Sequence, residues 1–319
     1  MSNMTKENIR IIFMGTPDFA VASLCQLVET GYNVVAVVTM PDKPAGRGHK
    51  LQSSPVKQYA QSMGIPVLQP TNLKDETFIK ELASYNADLQ IVVAFRMLPQ
   101  VVWGMPSLGT FNLHGSLLPQ YRGAAPIQWA VINGEKVTGV TTFMLQHEID
   151  TGDILLQEAI DIGPDENCRS VHDRLMEIGK HLVTKTVDLI IDCYNNNKVL
   201  PKQKQTDDCA LKPAPKLFKD NCAIDFNKPA IEIKNMVRGL SPYPAAWIAQ
   251  QPIIKGSLAS IAPHLVGAKI YKAEISIVAE QKGHIIVSCA DGYIDLLEIQ
   301  LPGKKRMAAN ALLNGLTNT

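Results

Sequence analysis

The sequence predicts an open α/β domain followed by a small β-barrel, and three observations carry that expectation. Strand-like and helix-like patterns alternate through the first part of the chain, as a parallel sheet covered by helices requires. Three of the four strand-like runs there are β-branched and nearly continuous, the composition of strands buried on both faces. Beyond residue 215 the pattern changes to short strands punctuated by turns, which fits a small barrel better than a second parallel sheet.

Taken in order, residues 9–14, 33–39, 88–94 and 110–114 are expected strands, and 18–29, 55–63, 74–84 and 98–104 are helices or short helical turns between them. Residues 137–146 and 154–162 form a pair of strands flanking a turn at Asp150. A long helix follows over 168–195, where Val171, Leu175, Ile178, Leu182, Leu189 and Cys193 keep the spacing of one buried face. The stretch 198–215 is polar, rich in lysine and broken by Pro201, Pro213 and Pro215, so it reads as a linker. Short strands are then expected at 224–226, 246–249, 253–254, 269–277, 284–288 and 293–297, with one helix over 229–240. The expected organisation is a first domain over 1–197, a basic linker over 198–215 and a second domain over 216–319.

Composition narrows the class. A chain of 319 residues with 46% hydrophobic content fills ordinary cores without crosslinks. Its six cysteines stand far apart, with no CxxC pair and no histidine spacing suited to zinc, so neither a disulfide framework nor a metal site is expected. The polar N-terminus lacks a signal peptide's apolar region, and no run approaches the roughly 20 apolar residues of a membrane span. A cytoplasmic location is expected. A formal net charge of +1 implies no general affinity for nucleic acid, so any such partner must be recognised by local charge.

The chemistry lies in a few motifs. Asn112 and His114 alternate along one expected strand, so both side chains point to the same face at the strand end, where α/β proteins gather catalytic groups. With Asp150 they supply an amide donor, a titratable imidazole and a carboxylate, the parts needed for acyl transfer through a charged tetrahedral intermediate. Asp150 and Asp153 stand in a glycine-containing turn, and residue type alone does not separate them. Gly15 is followed by Thr16 and Pro17, which lacks the backbone N–H and the glycines of a dinucleotide cradle, so no nicotinamide cofactor is expected. Residues 41–50, with Lys43, Arg47, His49 and Lys50, leave the same sheet edge as Gly15, from which Arg47 and Lys50 reach a polyanion held above the site. Arg122 precedes a further helix at Pro126 whose start suits an anion. Around the linker, Lys198, Lys202, Lys204, Lys212, Lys216 and Lys219 outweigh Asp207 and Asp208, and Lys304, Lys305 and Arg306 add a second basic patch.

Together these segments resemble the folate-dependent formyltransferases, and among them the methionyl-tRNA formyltransferases. The resemblance runs over essentially the whole chain: residues 13–20, 44–48, 112–119, 121–128, 150–153 and 241–247 all match the pattern in order. It implies a Rossmann-like first domain that binds 10-formyltetrahydrofolate and an OB-like second domain that helps hold tRNA. It also implies Asn112, His114 and Asp150 as the catalytic set. Ser116, Leu117, Leu118 and Pro119, with Phe95 and Arg96, are expected around the folate; Arg47, Lys50, Arg122, Lys212, Lys216, Lys304 and Lys305 are expected to meet the tRNA. The expected product is N-formylmethionyl-tRNA for translation initiation, made by a monomer without a metal. One departure falls at Phe95-Arg96-Met97, where many members have Tyr-Gly and one further residue beside the pterin pocket. Formylation of a small sugar or nucleotide amine, and RNA binding without catalysis, are the two alternatives; the complete Asn112, His114 and Asp150 set argues against the latter.

Overall fold

The computed structural model describes residues 3–45, 50–206 and 210–316, which form two compact units. The first comprises the chain up to Gly123, Gly139–Ile160 and Asp173–Pro213; the second comprises Ala124–Thr138, Asp161–His172 and the described chain from Ala214 onward. Arg47 lies outside the described residues.

The chain begins with β1 (Ile11–Gly15), α1 (Asp18–Glu29) and β2 (Val34–Val38), then a hairpin of β3 (Lys43–Ala45) and β4 (Lys50–Gln52). It continues through α2 (Pro55–Ser62), β5 (Val67–Leu68), α3 (Glu76–Ser84), β6 (Leu89–Val93), α4 (Gln100–Trp103) and β7 (Thr110–His114). Next come α5 (Pro126–Ile132), β8 (Val137–Met144), β9 (Ile154–Asp161) and α6 (Cys168–Asn195). Local chemistry sets several starts. Ser54 Oγ accepts from the Lys57 N–H ahead of Pro55 at the head of α2, and the Asp75 carboxylate accepts from the Phe78 N–H at the head of α3.

The main sheet has seven strands in the order β5-β2-β1-β6-β7-β8-β9. β5, β2, β1, β6 and β7 are parallel, and β8 turns antiparallel to β7. Every residue of β1 and β6 is buried, which accounts for their unbroken apolar character. A core of Ile12, Met14, Val38, Leu68, Phe78, Leu82, Val92 and Val102 covers one face. From β1 the chain proceeds outward through β2 and β5, then returns on the other side as β6 and β7. The crevice at the carboxyl ends of β1 and β6 is therefore the topological switch point of the sheet. Gly15 pairs with Val93 there, and a Cβ at Gly15 would come within 2.6 Å of Ala20 Cβ and 2.9 Å of the Val93 oxygen.

The second unit contains α7 (Ala230–Leu240), β10 (Ala246–Trp247), β11 (Lys269–Ser276), β12 (Ile285–Cys289), β13 (Gly292–Gln300), β14 (Met307–Ala308) and α8 (Ala309–Leu316). The five strands form one sheet in the order β10-β11-β13-β12, with β14 added on β13. Ile233, Val237, Leu240, Ile270, Ile285, Val287, Ile294, Leu296 and Ile299 belong to its core.

Several elements depart from the expected pattern. Residues 43–45 and 50–52 pair as two short antiparallel strands where only a loop was expected. Residues 224–226 are not a strand, because pairing there is limited to a single bridge between Ala223 and Trp247. Residues 253–254 are also outside any strand, with one bond from the Ser288 N–H to the Ile253 carbonyl. A 3₁₀ segment, Gly256–Leu265, and the final β14–α8 pair were not expected. No helix among the described residues is long and apolar enough to cross a membrane.

Candidate active site

The candidate site stands at the carboxyl end of β7. Because side chains alternate along a strand, Asn112 and His114 share a face, and Asn112 pairs in register between Val92 of β6 and Phe143 of β8. The His114 side chain is only 6% exposed. Its Nε2 lies 2.9 Å from the Tyr121 carbonyl oxygen, and a carbonyl only accepts, so Nε2 carries hydrogen. The other ring nitrogen, Nδ1, faces Asp150 Oδ2 at 3.8 Å, too long for a hydrogen bond and an ion pair only when the imidazole is protonated. The Phe143 ring stands edge-on to the imidazole at 6.4 Å between centroids. Asn112 Oδ1 is enclosed without a hydrogen-bond partner. A buried amide oxygen left this way is costly unless a bound group completes it.

Asp150 is brought to His114 by a turn under tight constraint. Its backbone is left-handed, with φ of 54°, and its Oδ2 accepts from the Gly123 N–H at 3.0 Å. Two residues on, a Cβ at Gly152 would lie 1.7 Å from the Met144 carbonyl oxygen, so the close approach of this turn to the end of β8 demands glycine. Asp153 lies on the far side of that glycine, with its carbonyl accepting from the Met144 N–H at 3.0 Å. Residue type leaves the two aspartates equivalent and the family resemblance favours Asp150; the geometry puts Asp150 against the imidazole.

After β7 the chain turns through Ser116, Leu117, Leu118 and Pro119, with a cis peptide between Leu118 and Pro119. Ser116 is buried and its hydroxyl donates to the Gln120 carbonyl at 2.7 Å. Leu118 packs with Phe143 and Ile154. Thr141 of β8 holds the turn: its hydroxyl donates to the Ser116 carbonyl at 2.7 Å and accepts from the Leu118 N–H at 3.1 Å. Gln157 Nε2 donates to the Leu118 carbonyl and to Thr141 Oγ1, both at 2.9 Å. Sequence reasoning missed Thr141, Gln157 and Tyr121, since a threonine or glutamine in a strand gives no sign of the loop it supports.

Phe95 and Arg96 lie in the connection after β6. The Arg96 guanidinium donates to the Thr71 carbonyl at 2.9 Å and the Pro70 carbonyl at 2.5 Å, and sits 5.8 Å from the Phe95 ring centroid. Burial pushes its pKa down, and its Nε is enclosed without a partner. Arg96 also lines a cavity of about 860 Å³ with Leu73, Lys74, Met97, Trp103 and His147. Among the expected cationic residues, Arg122 Nε donates to Gln205 Oε1 at 2.9 Å, and the Lys212 carbonyl accepts from the Tyr121 N–H at 2.7 Å. Lys50 lies in β4. On the second unit, Lys216 is exposed beside Phe218, and Lys304 and Lys305 are exposed. Arg306 differs from them, since its guanidinium forks onto Glu298 and lies 4.2 Å from the Tyr271 ring centroid. No group of three or more His, Cys, Asp or Glu side chains suited to a metal ion occurs among the described residues.

A doubly wound sheet that carries an amide, an imidazole and a nearby carboxylate at the end of one strand has the parts expected of an acyl-transfer enzyme. Comparison with known proteins makes the class specific. Residues 8–187 match the formyl transferase family, and residues 216–317 match the formyl transferase C-terminal domain. Methionyl-tRNA formyltransferase of Parabacteroides distasonis is 56% identical, with 98% of this chain and 97% of that protein covered. The Bacteroides thetaiotaomicron protein of the same name is 54% identical, with 98% and 97% covered. Among solved structures, a sugar 3N-formyl transferase determined with dTDP and 5-N-formyl-THF superposes with a TM-score of 0.64 at 22% identity, covering 93% of this chain and 99% of that one. HypX from Aquifex aeolicus in complex with tetrahydrofolic acid gives 0.61 at 16% identity, covering 96% of this chain and 47% of that one. The chain belongs to the formyl transferase family, in its methionyl-tRNA formyltransferase branch.

Proposed function

We propose that the enzyme moves the formyl group of 10-formyltetrahydrofolate to the amino group of methionyl-initiator tRNA, with Asn112, His114 and Asp150 as the catalytic residues. The observation that carries the reading is the convergence of the buried, unpartnered Asn112 amide oxygen with His114 and Asp150 at the sheet's carboxyl edge. An amide has a donor and an acceptor. With Nδ2 toward the formyl oxygen, it stabilises the charge that develops there.

In this scheme the neutral amine attacks the formyl carbon, forming a C–N bond and placing negative charge on the carbonyl oxygen. Asp150 and His114 take up the proton that the amine sheds, and the imidazolium faces the carboxylate across the Nδ1 contact. Collapse breaks the bond to folate N10, which receives a proton, so the net change is exchange of one N–H for one N–formyl bond. The residues present fit a folate: the cavity of about 860 Å³ that Arg96 lines at the β6–α4 connection offers a pterin the apolar side chains of Leu73, Met97 and Trp103. The acceptor's phosphates meet Arg47, Lys50, Arg122, the linker lysines including Lys212, and Lys216, Lys304 and Lys305, in a cytoplasmic monomer organised as residues 1–197, a linker over 198–215 and a second domain over 216–319.

The test is transfer of labelled formyl from 10-formyltetrahydrofolate to initiator methionyl-tRNA, with elongator methionyl-tRNA, free methionine and a nucleotide-linked amino sugar as controls. Label on the initiator alone is expected. Label on the amino sugar in preference to tRNA contradicts the assignment.

A further inference from the structure

The Asp150 turn is held by a residue far from it in sequence. Gln205 Nε2 donates to the Asp150 carbonyl at 2.9 Å and to the Gly152 carbonyl at 2.8 Å, while its Oε1 accepts from Arg122 Nε at 2.9 Å. One side-chain amide thus uses both of its polar atoms and joins two loops, one following β7 and one preceding β9. Its base is fixed as well. Two residues earlier, Gln203 exchanges both backbone bonds with Ile154, at 2.9 and 2.8 Å.

The turn needs such a hold. Asp150 occupies the left-handed region, which is uncommon for a residue with a side chain and persists only where its surroundings fix it. Its carboxylate is anchored to the Gly123 N–H, next to Arg122, so the same two loops are joined once through the Asp150 side chain and once through Gln205. Only the latter grips the backbone of the turn. In an extended segment alternate side chains oppose one another. Lys202 and Lys204 are exposed, while Gln205 is half-buried against the turn.

We propose that Gln205 is a positioning residue for formyl transfer, holding the Asp150 turn and Arg122 in register with His114 and linking the lysine-bearing linker to the catalytic carboxylate. The inference rests on the roles assigned above to His114 and Asp150.

Two variants test it. Gln205→Met keeps the length and loses every hydrogen bond; Gln205→Glu keeps an acceptor for Arg122 but sets a carboxylate against two carbonyl oxygens. Single-turnover rates are measured with 10-formyltetrahydrofolate and initiator methionyl-tRNA both saturating, beside KM for each substrate, tetrahydrofolate affinity and Tm. Both variants are expected to lose about ten- to hundredfold in rate, the scale of a misplacement near 1 Å, with folate KM and folate affinity unchanged and the protein fully folded at the assay temperature despite a small fall in Tm. A wild-type rate in either variant overturns the proposal, as does a loss of rate accounted for by unfolded protein at the assay temperature. Failure of the wild-type enzyme to formylate the tRNA would count against the reaction itself; an active wild type matched by Gln205→Met counts against Gln205 alone.

Discussion

The direction of Asn112 and His114 follows from the two-residue period of a strand, and for that reason their pairing is legible in the sequence itself. The contacts of His114 are not legible in residue type: its Nε2 meets the Tyr121 carbonyl through a loop that folds back, and Asp150 is separated from Asp153 in the sequence by the family resemblance alone. At this scale Asn112→Ala is expected to lower turnover about a hundred- to thousandfold with folate affinity retained, the usual cost of removing one oxyanion donor. Steady-state kinetics beside a folate titration check this. Gly152→Ala is expected to fail differently. Its Cβ would strike the Met144 carbonyl at 1.7 Å, so a loss of about 3 kcal/mol, the upper end of overpacking costs, should appear in denaturant unfolding.

Among elements, the long and strongly periodic ones were readable. The 110–114 strand and the 18–29 and 168–195 helices agree with β7, α1 and α6 at both ends. Short elements held by tertiary bonds were not, and the β3–β4 hairpin shows why. Its flanks are tied by Asp42, which accepts from Lys57 Nζ at 2.7 Å and from Gln69 Nε2 at 2.8 Å, and by the Thr39–Ser54 hydroxyl contact of 2.8 Å. No local pattern announces such bonds. The Lys57 hydrogen bond, followed by that of Gln69, holds the Asp42 carboxyl below the usual carboxylate range. A depressed folded pKa contributes stability above the unfolded value of about 3.9 and loses it as pH falls through the folded value. Asp42→Asn should therefore lower Tm at neutral pH, and the gap from wild type should close as thermal melts are repeated at increasingly acid pH. Arg96 ties another connection. With its charged donors on the Pro70 and Thr71 carbonyls, Arg96→Ala is expected to cost about 1.5–3 kcal/mol in denaturant unfolding. The same substitution should raise KM for the folate.

For the molecule as a whole, the division into an α/β part and a later antiparallel part was legible from the change in strand spacing, and β14 and α8 were lost because the tail is short and weakly patterned. The prolines and lysines of the linker reveal charge alone, whereas Gln203 and Gln205 make part of it an extension of the catalytic unit. Recognition of a polyanion by dispersed lysines predicts strong salt dependence. The logarithm of tRNA affinity should fall with the logarithm of salt, and Lys304→Ala with Lys305→Ala should each reduce that slope by about 0.9 if its phosphate lies on duplex RNA resembling the reference case. The central claim is that the end of β7 performs the transfer. It is tested most directly by single-turnover formylation of initiator methionyl-tRNA with His114→Ala and Asp150→Asn, each first shown to fold and to bind tetrahydrofolate. A fall of about a hundredfold or more in both, with binding intact, is the predicted result. Near-wild-type turnover in both contradicts it.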